Sequence, residues 1–81
     1  MSVQNEMRRV KLTNLRHQAK GLRSEIEGLA RTICLNLDTS LHAVEDLPVP
    51  ETMSQMDDLT LKWAELQIVL SATARLEEEL R

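Results

Sequence analysis

The sequence predicts an all-α fold, an antiparallel helical hairpin, on three observations. Leu, Ala, Glu, Arg, Met and Gln dominate the 81 residues, and these residue types favour helices. Two glycines and two prolines are too few for the turns of a sheet protein. Apolar residues recur at steps of three and four in two segments, which prolines separate. The length allows a single domain, residues 1–81, since typical domains have roughly 100–200 residues.

The first predicted helix begins near Gln4 and carries a heptad stripe of apolar residues. Its members are Leu12, Leu15, Ala19, Leu22, Ile26, Leu29 and Ile33. Such a stripe faces a partner helix. Residues of N-cap type then cluster at 36–40, which leaves two alternatives open. The helix either continues through this segment with a kink, or it ends there and a short third helix follows near residues 39–46.

The second predicted helix follows a turn at Leu47–Glu51, where Pro48 and Pro50 disfavour helix. A capping-box pattern, Thr52 followed by Gln55, places its start near Thr52 or Met53. Its predicted apolar seam consists of Met56, Leu59, Trp63, Leu66, Leu70, Thr73 and Leu80, and is flanked by Val69 and Leu76. A short connection makes the two helices antiparallel neighbours.

Charge is distributed unevenly along the chain and supports this alignment. Residues 1–23 hold six Lys and Arg against one Glu, although the whole chain has a net charge of −3. Folding at the turn brings the acidic residues 77–79 near basic residues of the first helix, namely Arg16, Lys20 and Arg23. Because the first predicted helix is longer than the second, residues 1–14 are expected to form a basic overhang or a flexible N-terminus.

Two surfaces are left over once the predicted seams pair. On the second helix, the apolar residues away from the seam are Leu61, Ala64, Ile68 and Ala72. On the first helix, small residues line the outer face, namely Gly21, Ser24 and Gly28. We predict that these two surfaces form the interface with a second copy or with a partner protein. Because a chain this short also has a marginal core, we expect a homodimer of two hairpins packed as a four-helix bundle. The alternatives are scattered exposed aliphatic residues and glycines that the helix tolerates.

No motif for catalysis, phosphate binding or zinc binding is found in the sequence. The nearest grouping of metal-ligand types is Asp38, His42, Glu45 and Asp46, which lacks a second histidine. We therefore expect no enzyme, no cofactor and no metal. The predicted function is a non-catalytic protein-binding module, a small inhibitor, adaptor or regulatory subunit that occupies the surface of a partner protein.

A nucleic-acid-binding regulator is the alternative prediction. In that case the basic part of the first helix would contact phosphates through Arg8, Arg9, Lys11, Arg16 and Lys20. An acidic sequence pI of about 5.3 and the lack of aromatic residues among these cations disfavour it.

Compartment is predicted from what the chain lacks. A single cysteine, Cys34, cannot form an intramolecular disulfide and suits a reducing environment. No secretory signal or membrane-spanning apolar run is visible. We expect a cytoplasmic protein without a membrane partner.

Overall fold

The computed structural model describes residues 2–81, which form two long helices joined by a short connection. Helix α1 spans Val3–Asn36 and helix α2 spans Val49–Glu79, with a 3₁₀ turn at Val44–Asp46 between them. The helices pack on each other as a rod of 63 × 16 × 15 Å. The predicted all-α hairpin is thus confirmed, and no strand occurs in residues 2–81. Met1, the first residue of the predicted segment 1–14, lies outside the described residues.

Polar side chains determine where α1 begins and ends. The Ser2 hydroxyl accepts a hydrogen bond from the Asn5 backbone N–H at 3.2 Å, as an N-cap residue does. Beyond Asn36, Asp38 accepts hydrogen bonds from the Ser40 hydroxyl at 2.6 Å and from the Ser40 backbone N–H at 2.9 Å. These bonds lower the pKa of Asp38. They also satisfy the backbone without further helix, so α1 ends rather than kinks here.

The connection differs from the predicted one in position and content. It covers residues 37–48 rather than Leu47–Glu51, and a 3₁₀ turn stands where a short third helix was an alternative. Helix α2 begins at Val49, before the predicted start at Thr52 or Met53. Pro50 fits in the first turn because the N–H groups there need no partner within the helix. Pro48 caps the helix, and its carbonyl accepts hydrogen bonds from the Thr52 backbone and hydroxyl.

The predicted seam of α1 is confirmed. Its residues alternate in steps of three and four, and each is buried or half-buried along the length of the helix. Four of them are largely inaccessible to solvent, namely Leu12, Ala19, Leu22 and Ile33. On the α2 side the buried residues are Thr52, Leu66, Val69 and Leu76. The centre of the hairpin is an apolar cluster of Ala19, Leu22, Leu66 and Val69.

Two of the seven residues in the seam predicted for α2 are wrong, whereas the other five are buried or half-buried. Met56 and Trp63 are 44% and 56% exposed, whereas the polar residues Gln55 and Lys62 face α1. Each of these two polar residues has a partner across the hairpin. The Asn36 side-chain amide donates to the Gln55 carbonyl oxygen at 2.8 Å, and Lys62 Nζ lies 2.7 Å from a Glu25 carboxylate oxygen.

These partners remove the cost of placing polar groups at a helix–helix seam. The hydrogen bond to Glu25 also raises the pKa of Lys62, because it favours the charged ammonium group.

Ion pairs at the open end show the register of the two helices. Arg16 lies 3.6 Å from Glu77, and Arg8 lies 3.6 Å from Glu79. The prediction that the acidic C-terminal residues meet Arg16 is confirmed, although Lys20 and Arg23 make no ion pair within residues 2–81. Since α1 and α2 have 34 and 31 residues, the overhang expected for residues 1–14 is confined to the part before Arg8.

The hydrogen bond between Asn36 and Gln55 gives a first testable prediction. Asn36→Leu should lower the free energy of unfolding by about 1 kcal/mol, because Gln55 loses its partner at a half-buried position. The double variant Asn36→Leu/Gln55→Leu should recover that loss, since both polar groups are then gone. Urea denaturation followed by circular dichroism measures both effects. Losses that simply add in the double variant would show that the two residues are not coupled.

Candidate protein-binding surfaces

The hairpin has a larger solvent-accessible surface than a compact monomer of the same mass. Its accessible area is 6252 Å², about a quarter more than the roughly 5,000 Å² of a compact monomer of 9.3 kDa. Large aliphatic side chains and Trp63 stay exposed on several sides of the rod.

One flat side of the rod combines apolar residues from both helices. It consists of residues 16, 23 and 30 of α1 and residues 56, 63, 70 and 77 of α2, each set spaced by seven, and we call it the tryptophan face. Its apolar members are Ala30, Met56, Trp63 and Leu70, and its charged members are Arg16, Arg23 and Glu77. The Arg16–Glu77 ion pair shows that the two sets lie side by side.

The same ion pair gives the level of each pair along the rod. Because the helices are antiparallel, a step of seven along α1 matches a step of seven back along α2. Arg23 is therefore level with Leu70, and Ala30 is level with Trp63. Ala30 and Leu70 are half-buried, as expected for residues that border the seam. The tryptophan face is thus apolar toward the connection and charged toward the open end.

The opposite flat side is polar, and we call it the lysine face. Near the open end it contains a shallow depression lined by Lys11, Leu15, Ala72, Arg75, Leu76 and Glu79. Farther along the rod, the Lys62–Glu25 ion pair bridges the helices. A surface so charged is typical of a solvated side rather than of a helix-packing interface.

The outer face of α2 carries the stripe singled out in the sequence. Leu61 and Ile68 are 70% and 69% exposed, and Ala64 is exposed as well. Ala72 is half-buried, because it lies at the edge of the lysine face. The hairpin seam therefore leaves this stripe uncovered. Its role as an interface stays a prediction.

The outer face of α1 is smooth at its centre. Gly21, Ser24 and Gly28 are all exposed, and a Cβ atom added at either glycine would meet no neighbouring atom within 4 Å. Packing inside the hairpin therefore does not require a glycine at either position. The same helix also exposes large apolar side chains toward its two ends, at Val3, Met7, Val10 and Leu35.

The basic residues proposed as phosphate contacts do not form one patch. Arg9, Arg16 and Lys20 lie toward the tryptophan face, whereas Lys11 lies on the lysine face beside Glu79. Glu79 and Glu77 pair with Arg8 and Arg16, so part of the positive charge is compensated within the hairpin. A nucleic acid would therefore meet a divided and partly neutralised surface.

The described residues carry neither a metal-ligand cluster nor a membrane-spanning segment. Within residues 2–81, no three His, Cys, Asp or Glu side chains converge as the ligands of a metal ion do. Neither described helix contains an apolar stretch long enough to cross a membrane. No protein-family model, curated protein or solved structure matches the chain. Function is therefore inferred from the exposed faces.

Sequence reasoning missed the tryptophan face. The signal was present, because Val49, Met56, Trp63 and Leu70 follow one another at intervals of seven. The periodicity was assigned to the seam of the hairpin, and only the observed pairing of the helices shows that these positions border the seam.

Proposed function

We propose that this chain is a non-catalytic protein-binding module, which forms a homodimer and occupies a partner protein's surface as a small inhibitor, adaptor or regulatory subunit. One observation carries the proposal: large apolar side chains stay exposed along two sides of a paired hairpin, the tryptophan face and the outer face of α2. Monomeric soluble proteins seldom expose contiguous apolar patches above a few hundred Å², and larger ones mark interfaces.

The partner protein is assigned to the outer faces of the two helices. On α2, Leu61 and Ile68 provide apolar contact area, with Ala64 and Ala72 beside them. On α1, the smooth centre formed by Gly21, Ser24 and Gly28 allows another backbone to approach closely. Neither face is used by the hairpin itself, so a partner can bind without any rearrangement of the fold.

A nucleic-acid-binding regulator is the second candidate, and one observation favours it. Arg9, Lys20 and Arg23 make no ion pair within residues 2–81. Salt separates the two candidates. Binding to phosphates should weaken by close to one log unit per log unit of salt for each contact, whereas an apolar interface depends much less on salt.

Affinity capture from the native host, with nuclease treatment, tests the proposed function. We expect a protein that survives nuclease, binds the purified chain directly, and is lost with Ile68→Glu or Gly21→Arg. Gln18→Arg is the matched control, since it adds the same charge at another exposed position of α1 and should leave capture intact. Capture of nucleic acid alone, abolished by changing Arg8 and Arg9 to Glu, would overturn the proposal in favour of the second candidate.

A further inference from the structure

Two hairpins can form a four-helix bundle only through a side to which both helices contribute. The hairpin has two such sides, the tryptophan face and the lysine face. The first carries apolar side chains of both helices at Ala30, Trp63 and Leu70, beside the Arg16–Glu77 ion pair, whereas on the second the Lys62–Glu25 ion pair takes the place of such an apolar group. The tryptophan face is therefore the side that suits a second hairpin.

The size of the tryptophan face matches what a dimer needs. One flat side of a rod 63 Å long and 16 Å wide covers about 1,000 Å², and a standard interface buries about 800 Å² on each partner. Residues outside the apolar part also contribute, because the stems of Arg16 and Arg23 cover apolar surface while their charged ends stay hydrated.

The charges of the two helices select the orientation of the second copy. Helix α1 holds seven Lys and Arg against three Asp and Glu, a net charge of +4, whereas α2 holds two against seven, a net charge of −5. A twofold axis along the rod places α1 of one copy on α2 of the other. An axis across the rod instead places α1 on α1 and α2 on α2, which brings like charges together.

From the apolar character of this face, its area and the charges of the two helices, we propose that two copies of this chain pack through their tryptophan faces. The two rods are parallel, so both connections lie at the same end of the bundle. The inference rests on the proposed function and adds the face and the orientation. Apolar layers around Trp63 meet apolar layers of the second copy. At the open end, the Arg16–Glu77 pair of one copy faces the Glu77–Arg16 pair of the other, so that charges alternate around the bundle.

Light scattering tests the face. At tens of micromolar, the wild-type chain should have twice the mass of 9.3 kDa, and Trp63→Glu should have the mass of one chain. Since Trp63 is 56% exposed in the hairpin, circular dichroism should show that this variant keeps its helices. Met56→Glu should act in the same way, and Leu61→Glu, on the outer face of α2, should remain dimeric.

A dimer that persists in both Trp63→Glu and Met56→Glu would overturn the choice of face. A wild-type monomer that still captures a protein partner would overturn the dimer and leave the protein-binding proposal standing. A wild-type dimer that captures no protein partner would overturn the protein-binding proposal and leave the dimer standing.

Double electron–electron resonance tests the orientation. It measures the distance between two nitroxide labels, one on the exposed cysteine, Cys34, of each copy. In the parallel bundle, the two labels lie at the same level on diagonally opposite helices, roughly 20–25 Å apart. In the antiparallel bundle they lie toward opposite ends, because Cys34 is about 14 residues from the midpoint of α1, and their distance is about 45 Å. A dominant distance near the longer value would overturn the parallel arrangement.

Discussion

Replacing Leu66 with alanine should lower the free energy of unfolding by about 2–5 kcal/mol. Leu66 is only 8% exposed and packs with Ala19, Leu22 and Val69 at the centre of the hairpin. The substitution removes buried apolar atoms and leaves a cavity that two paired helices can fill only in part. Urea denaturation, followed by circular dichroism, measures the loss.

Leu61→Ala is the matched control for Leu66→Ala, because it makes the same change in the same helix. Leu61 is 70% exposed, so its truncation should alter the free energy of unfolding by no more than about 0.5 kcal/mol. Both variants are best compared in the Trp63→Glu background, so that dissociation of a dimer does not contribute. Equal losses in the two variants would contradict the assignment of Leu66 to the core and Leu61 to the surface.

Helix α1 could be predicted from the sequence because its apolar pattern has a single interpretation. Leu12, Leu15, Ala19 and Leu22 form an uninterrupted stripe, and the residues between them are mostly polar or charged. Only one rotation of the helix buries that stripe. The N-cap residues around Asp38 likewise mark a place where the helix can end. For α1, the local sequence is therefore sufficient to predict which side is buried and where the helix ends.

Helix α2 could be predicted only in part. Its seam needs two rows of residues spaced by seven, which we call tracks, and two neighbouring tracks are candidates for one of these rows. Leu59 and Leu66 lie on the track that both the prediction and the structure place toward α1. Beside it, the track of Met56 and Trp63 is more apolar than the track of Lys62, and the two are only about 100° apart on the helix. Hydrophobicity alone therefore favoured Trp63.

The structure reverses this choice through long-range contacts. Glu25 and Asn36 on α1 provide partners for Lys62 and Gln55, which makes the more polar track acceptable at the seam. Such pairings depend on the register of two helices that are far apart in sequence, so they cannot be derived from the pattern of one helix. The same error hid the tryptophan face, because Trp63 had been assigned to the core.

The prolines show a second limit of local reasoning. Pro48 and Pro50 correctly separate the two helices, but they do not lie midway through the connection. A proline is excluded from a helix interior and accepted in its first turn, so the residue type marks a boundary without fixing its position by itself. A start three residues earlier lengthens α2 at the end next to the connection. The N-terminal part of α1 is paired from Arg8 onward for a different reason, because the C-terminal turn of α2 lies beside it.

Changing Gly21 and Gly28 together to alanine should raise the free energy of unfolding by about 2 kcal/mol. Each glycine costs about 1 kcal/mol relative to alanine in a helix, and sites seven residues apart contribute nearly additively. The added methyl groups meet no neighbouring atom, so no steric penalty offsets the gain. Ser24→Ala, on the same face, should change stability less, since serine already carries a Cβ. Denaturation midpoints measure all three variants.

The same two positions separate a structural role from a functional one. If the glycines serve a partner that approaches α1 closely, Gly21→Arg should keep the gain in helix stability, because arginine is a good helix former, and should abolish capture of the partner. A stable hairpin that no longer binds would show that the chain retains two helix-weakening residues for recognition. Destabilisation by alanine at either position would contradict this, since it would mean that the fold itself requires the glycine.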